Sequence, residues 1–324
     1  MHRTYVFNGD ADGLCALQQL RLAEGGEGPE PVTLVTGVKR DIALLDRVTA
    51  KAGDSCTVLD VSLDVNRAAL CRLLDAGVSV RYFDHHFAGE IPQSPHLDSH
   101  IDLGTSVCTS VLVDQYLQGR FRHWAIVGAF GDSLVEEGGA LARSVGLDPA
   151  AVSRLAALGV AINYNAYGET IDDLHVPPAA LAAEMSAYAD PLAFADSSPT
   201  YRRLADGYRD DRERARALEP HREATGALLF LLPDAAWARR VSGTLANDLA
   251  KFHVGSAIAI VSPKTTGGYL VSIRVPRETA VGADSFCRRF PTGGGRRAAA
   301  GINDLPADQL ESFATAFEEQ FGAG

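Results

Sequence analysis

The stretch Thr4-Tyr5-Val6-Phe7-Asn8-Gly9-Asp10-Ala11-Asp12-Gly13 decides how the chain is read. Its first four residues, aromatic and β-branched, predict a short strand. The run then breaks into an amide, a glycine and two carboxylates before the helical pattern from Leu14 to Ala23 begins. A strand that passes through a polar turn into a helix opens a βαβ unit. The pattern repeats downstream: strands are predicted at Val32 to Thr36, Cys56 to Leu59 and Val78 to Phe83, with helices at Ile42 to Ala50 and Asn66 to Ala76. Such alternation predicts a mostly parallel sheet with helices on its faces.

The first, third and fourth of these strands end in polar clusters: Asn8 to Gly13, then Asp60, then Asp84-His85-His86. Ligands of open α/β sheets bind at the carboxyl ends of the strands, so the clusters are expected to converge although they are far apart in sequence. Taken singly, each has a plainer reading. Asp10 or Asp12 suits a helix-entry turn with Asp as N-cap, and Asp60 suits the cap of the helix near Asn66. Asp132, in Ala129-Phe130-Gly131-Asp132-Ser133, suits a helix C-terminal turn. Taken together, carboxylates and imidazoles gathered at one sheet edge would repel strongly without counter-charge. Divalent cations supply it, and oxygen and imidazole donors without cysteine suit a hard-to-borderline ion such as Mn²⁺ or Mg²⁺ rather than a structural zinc site.

The periodicity of residues 106–187 predicts helices completing the first domain, 1–205, and the charged run Asp206 to Arg216 opens a connecting stretch, 206–225. A smaller α/β domain, 226–324, is expected beyond it, with strands at Ala227 to Leu232, Ser256 to Val261 and Tyr269 to Val275 and helices at Val241 to Phe252 and Pro306 to Gln320. The whole chain has 324 residues, long enough for two cores. Its formal net charge of −11 opposes coating of long duplex nucleic acid. The longest apolar runs, Gly226 to Leu232 and Gly255 to Val261, are far short of the roughly 20 residues of a membrane helix, so no membrane partner is expected. The polar residues at Asn8 to Asp10 leave no room for a secretory signal. Five cysteines without a C-x-x-C pair are expected as buried free thiols, and a cytoplasmic location follows as an expectation.

Asp10-Ala11-Asp12-Gly13, Asp60, Asp84-His85-His86 and Asp132 resemble, in order and spacing, the four motifs of the DHH phosphoesterases, a superfamily that includes RecJ exonucleases, nanoRNases and cyclic-dinucleotide phosphodiesterases. The later run Gly293-Gly294-Gly295-Arg296-Arg297-Ala298-Ala299-Ala300-Gly301 is similar to the GGGH-x-x-AAG motif of the domain that accompanies them. The resemblance implies two divalent ions: Asp10 and Asp12 on separate ions, Asp60 bridging, His85 and Asp132 beside Asp12, and His86 close to the phosphate. It also implies an in-line hydrolysis without a covalent nucleophile. Asn8 would be a neutral ligand where relatives carry His or Asp, and Arg296 stands in place of the glycine motif's His.

In the second domain Gly293, Gly294, Gly295, Arg296 and Arg274 are the expected phosphate contacts, with substrate held between the domains. The chain lacks a basic track or aromatic ladder for long single strands, which favours short RNA or linear dinucleotides cut to mononucleotides. The alternatives are a 3′-phosphoadenosine 5′-phosphate phosphatase, a RecJ-like exonuclease, and a nucleotide-binding sensor without turnover. Asn163 to Thr170 reads as a capped loop and receives no role, and a homodimer is left open.

Overall fold

The computed structural model describes residues 2–25 and 31–322. The chain divides into two compact units, Met1–Gly207 and Tyr208–Gly324. The first holds β1 (Arg3–Phe7), α1 (Ala11–Ala23), β2 (Val32–Thr36), β3 (Ser55–Leu59), α2 (Leu63–Asp75), β4 (Ser79–Asp84) and β5 (Leu97–Ile101). Helices α3 (Thr109–Tyr116), α4 (Arg122–Gly131), α5 (Val135–Ser144), α6 (Pro149–Asn165), α7 (Pro178–Met185) and α8 (Pro191–Ser197) follow, and α9 (Pro199–Arg216) crosses the division. The strands form one sheet in the order β2-β1-β3-β4-β5, every neighbouring pair parallel, as the alternating pattern requires.

Both faces of this sheet are covered, which is why its central strands read as unbroken apolar runs. On β1, Tyr5 and Phe7 join the core formed with α1, α4 and α6, while Val6 joins the opposite core with Val58, Tyr82 and the apolar residues of α2. Helix α1 is buried from Ala11 to Arg21 and packs against α3, α4, α6 and α7. Its two buried amides donate inside the protein, although Gln19 Oε1 has no hydrogen-bond partner. Gln18 Nε2 donates to the carbonyls of Met185 (2.8 Å) and Tyr188 (2.7 Å), and Gln19 Nε2 donates to Ser110 O (3.0 Å).

Three expectations need correction. Ile42 to Ala50 is no α-helix; only Leu44–Arg47 makes a 3₁₀ turn. The backbone there is held by Asn66 of α2, whose Nδ2 donates to Ile42 O (2.7 Å) and whose Oδ1 accepts from Leu45 N (3.0 Å), in place of helical bonds. Strand β5, Leu-Asp-Ser-His-Ile, was not foreseen, because an edge strand with a polar face lacks the apolar run that marks a central one. Residues 206–225 are the second half of α9 followed by a short strand that already belongs to the second sheet.

The second unit contains β6 (Arg222–Ala224), β7 (Ala227–Leu231), α10 (Ala236–Phe252), β8 (Ala257–Pro263), β9 (Tyr269–Arg274), α11 (Ala283–Cys287), β10 (Gly293–Arg296), β11 (Ala299–Leu305) and α12 (Leu310–Phe321). Its six-stranded sheet runs β10-β11-β9-β8-β7-β6 and is antiparallel except between β7 and β8. Phe286, Phe313, Phe317 and Phe321 pack against Ile273 and Ile302 in its core. All five cysteines are free, and burial pushes the thiols of Cys56 and Cys287 up to about 12. Among the described residues no helix is long and apolar enough to cross a membrane.

Close packing of α1, α4 and α6 carries Asp132 to the sheet edge. A Cβ on Gly131 would lie 2.3 Å from Ala11 Cβ, and one on Gly159 would lie 2.3 Å from Val127 O. Gly159→Ala should therefore cost about 1–3 kcal/mol, the usual penalty of overpacking. Urea titration with an unchanged midpoint would show that α4 and α6 can separate without loss.

Candidate active site

The order β2-β1-β3-β4-β5 reverses direction at β1, and the carboxyl ends of β1, β3 and β4 face one crevice there. Asp10 caps α1: its Oδ1 accepts from Gly13 N at 3.1 Å. That turn needs glycine, because a Cβ on Gly13 would lie 2.3 Å from Asn8 O. Asp12, in the first turn of the helix and 1% exposed, reaches across to α3. Its two oxygens accept from Thr109 N and Ser110 N, both at 2.7 Å, so the carboxylate sits on a helix N-terminus where its charge is stabilised.

Asp60 follows β3 in the left-handed region, with φ of 59°. A non-glycine residue holds that conformation only where its surroundings enforce it. Its backbone N–H donates to Phe83 O (3.0 Å), and its Oδ1 accepts from the Thr109 hydroxyl (3.2 Å). Ser133, directly after Asp132, shares this conformation at 67°.

His85 follows β4, and its Nδ1 lies 3.1 Å from Val107 O. A carbonyl can only accept, so Nδ1 carries the proton and Nε2 is turned toward the carboxylates. Nε2 is 3.3 Å from Asp60, 3.9 Å from Asp12 and 4.0 Å from Asp132. Candidate ligand atoms of Asp12, His85 and Asp132 lie within 4.8 Å of one another, as do those of Asp60, His85 and His86. Each group fits a divalent cation held by oxygen and imidazole donors, and the two share His85. His86 instead bonds through Nδ1 to the fully buried Asp84 at 2.7 Å and is half-exposed.

The position around Asp10 is different. The Lys39 ammonium bonds to Asp10 Oδ2, lies 3.3 Å from Asn163 Oδ1 and stands over the Tyr167 ring, 5.7 Å from its centroid. Asn8 is buried, its Nδ2 donating to Lys39 O (3.3 Å) while its Oδ1 has no partner. Lys39, Asn163 and Tyr167 were missed in the sequence. The available signal was that Lys39 closely follows β2, the strand beside β1.

Electrostatics separate the carboxylates. Burial opposes ionisation of Asp10, yet the Lys39 ammonium and the Gly13 N–H together hold it below the usual carboxylate range. Burial likewise works against the charge of Lys39, and Asp10 overrides it, raising the ammonium above its ordinary value. Asp60 is driven well above its ordinary value by burial and then by the charges of Asp10 and Asp12. Asp132 is pushed up to about 6 by burial and the same two neighbours. The hydrogen bond to Asp84 raises His86.

In the second unit the glycine run forms the strand β10. Gly293, Gly294 and Gly295 of β10 pair with Ile302, Gly301 and Ala300 of β11. Two of the three glycines answer to packing: a Cβ on Gly293 would lie 1.8 Å from Cys287 O, and one on Gly295, at φ of 140°, would lie 2.5 Å from the Ala300 backbone. Gly294 faces open space. Arg296 is opposite Ala299, which is opposite Arg274, so two arginines flank one alanine on the same face, their strands roughly 10 Å apart. Arg274 Nε donates to Asn247 Oδ1 at 2.7 Å, and Arg296 is exposed.

No protein-family model matches the chain, and no curated protein does. Solved structures do. An exonuclease RecJ bound to manganese is similar with a TM-score of 0.60 and 18% identity, covering 98% of this chain and 89% of that one. RecJ from Thermus thermophilus in complex with Mn²⁺ is similar at 0.55 and 20%, over 98% of this chain and 51% of that one. PggH from Vibrio cholerae, a pGpG-specific phosphodiesterase, is similar at 0.54 and 13%, over 99% and 98%. Over nearly its whole length, the chain shares the fold of RecJ and of PggH.

Proposed function

We propose that the protein is a metal-dependent phosphodiesterase that hydrolyses linear dinucleotides or very short RNA to mononucleotides. The observation that carries this is that Asp12, Asp60 and Asp132 all approach His85 at the sheet edge, where Asp12, His85 and Asp132 form one group of candidate ligands and Asp60, His85 and His86 another. The likeness to RecJ and to the pGpG-specific enzyme supports the reaction class. A divalent ion held there, Mn²⁺ by preference, would supply Lewis-acid charge for the phosphate and a water of lowered pKa.

The remaining chemistry falls to the chain's own side chains. In hydrolysis a water oxygen bonds to phosphorus, the bond from phosphorus to the leaving oxygen breaks, and that oxygen takes a proton. His86, held at Nδ1 by Asp84 with its other ring nitrogen available, is suited to give that proton. The Asp84 bond fixes the ring and favours the protonated form. Lys39, anchored beside Asp10, offers a fixed positive charge to a phosphate oxygen. Its chain neighbours Val38 and Arg40 line a cleft of about 430 Å³ together with Arg47 and Glu169. In the second unit, the Arg274–Arg296 pair is the proposed nucleotide-phosphate contact beside Gly293, Gly294 and Gly295.

Metal binding must displace protons from Asp60 and Asp132, whose folded-state values lie above their unfolded ones. Groups of that kind stabilise the fold at low pH and cease to do so as pH rises through the folded value, near 6 for Asp132. Without metal, the contribution of Asp132 to thermal stability should thus fall from about pH 4 to about pH 6. The rise in Tm given by Mn²⁺ should grow over the same interval, and scanning calorimetry with and without the ion reads both. A metal shift independent of pH would mean that these carboxyls do not bind it.

The substrate class is tested with 5′-labelled RNAs from dinucleotide to about 20 nucleotides in Mn²⁺. Turnover should fall steeply with length and be lost, by about 10²-fold or more, in Asp60→Asn. Equal cleavage of the long RNAs would overturn the short-substrate reading, and nucleotide binding without turnover would point to a sensor instead.

A further inference from the structure

We infer that the ammonium of Lys39 permanently takes the place of one cation of the expected pair, so that the site holds a single divalent ion among Asp12, Asp60, His85 and Asp132. The inference deepens the proposed function at the same site. It depends on that function only for the existence of the one ion.

Lys39 is set in place by its backbone before its side chain bonds to anything. The turn after β2 presses against the turn after β1 so closely that a Cβ on Gly9 would lie 2.1 Å from Gly37 O. Lys39 N donates to Ala166 O at 2.9 Å, and Lys39 O accepts from Asn8 Nδ2 at 3.3 Å. From that fixed root the side chain delivers its ammonium to Asp10, with Asn163 Oδ1 and the Tyr167 face beside it. Carboxylate, amide oxygen and aromatic face are the surroundings of a cation. Unlike an ion, this one is tethered and cannot exchange.

The donors left for a second divalent ion are poor. Asn8 offers a neutral oxygen, and Asp60 is shared with the other position. An added ion would stand beside the lysine's own charge. Among the described residues, two groups of three ligand atoms lie within 4.8 Å, Asp12 with His85 and Asp132 and Asp60 with His85 and His86; neither includes Asp10, and both need His85, whose single free ring nitrogen can serve only one ion.

Charge balance gives the same count. Asp12 rests on the N-terminus of α3, Asp84 is paired with His86, and Asp10 is paired with Lys39. Asp60 and Asp132 remain, although His85 is near both and Lys39 lies 3.9 Å from Asp132. Two carboxylates are neutralised by one divalent ion.

The test is the number of Mn²⁺ ions bound per full-length chain without substrate, read from loss of the free-ion electron paramagnetic resonance signal. Wild type should take up one tightly held equivalent and show no exchange-coupled spectrum. The double variant Asn8→Asp/Lys39→Met, which restores an anionic donor and removes the ammonium, should take up two and show the coupled spectrum. Two equivalents in wild type would overturn the inference while leaving a metal-dependent hydrolase intact. A folded double variant that still binds one would overturn it as well. No tightly held ion in wild type would sink the metal reading and this inference together. The wild-type measurement stands even if the double variant fails to fold.

Discussion

Negative charge concentrated in a water-poor crevice is the constraint on which the site depends. Asp10, Asp12, Asp60 and Asp84 are each no more than 2% exposed, and Asp132 stands at their margin. Carboxylates so placed stay ionised only where something positive meets them, since the cost of burying an uncompensated charge is several kcal/mol. The protein answers differently at each one: helix-terminal N–H groups for Asp12, an imidazole for Asp84, an ammonium for Asp10. Of these, Asp60 and Asp132 are the carboxylates that burial and their neighbours raise above the ordinary range, which makes them the candidates to meet a cation from solution.

Those answers also explain features of the scaffold that packing alone would not require. Asp60 is held in a left-handed conformation, so that the chain leaves β3 by turning this carboxyl toward His85 and Thr109 rather than continuing the strand. Gly9 and Gly13 allow the backbone approaches that set the β1 turn against the β2 turn and against α1. Gly131 and Gly159 let α4 lie close to α1 and α6, which brings Asp132 in from far along the chain. Fold and site are therefore coupled: loosening the helix layer would move a candidate ligand.

Much of this was legible in the sequence for an identifiable reason. A parallel sheet places every strand's carboxyl end on the same edge, so locating the strands sufficed to bring Asp10, Asp12, Asp60 and Asp84-His85-His86 together. The same rule extended to β2 would have pointed to Lys39. What periodicity missed was structure set by partners outside the segment itself. The 3₁₀ turn at Leu44–Arg47 is held by Asn66, β5 is an edge strand with polar residues, and the run at Gly293–Arg296 is drawn into a hairpin by β11. Composition marks glycines as a loop, and only the neighbouring strand makes them a strand.

By itself, the amino-acid sequence determined the alternation of strands and helices, the two-domain layout and the identity of the carboxylates and imidazoles at the strand ends. These are local properties, written in side-chain periodicity and in the chemistry of a few turns. The tertiary structure alone decided how each charge is met: that His85 turns its Nε2 inward because Val107 O holds its other nitrogen, that His86 leans on Asp84, and that Lys39 reaches Asp10. Such pairings depend on distances of a few ångströms, most of them between segments separated by tens of residues. No local pattern encodes those distances, because the packing of the sheet and helices sets them.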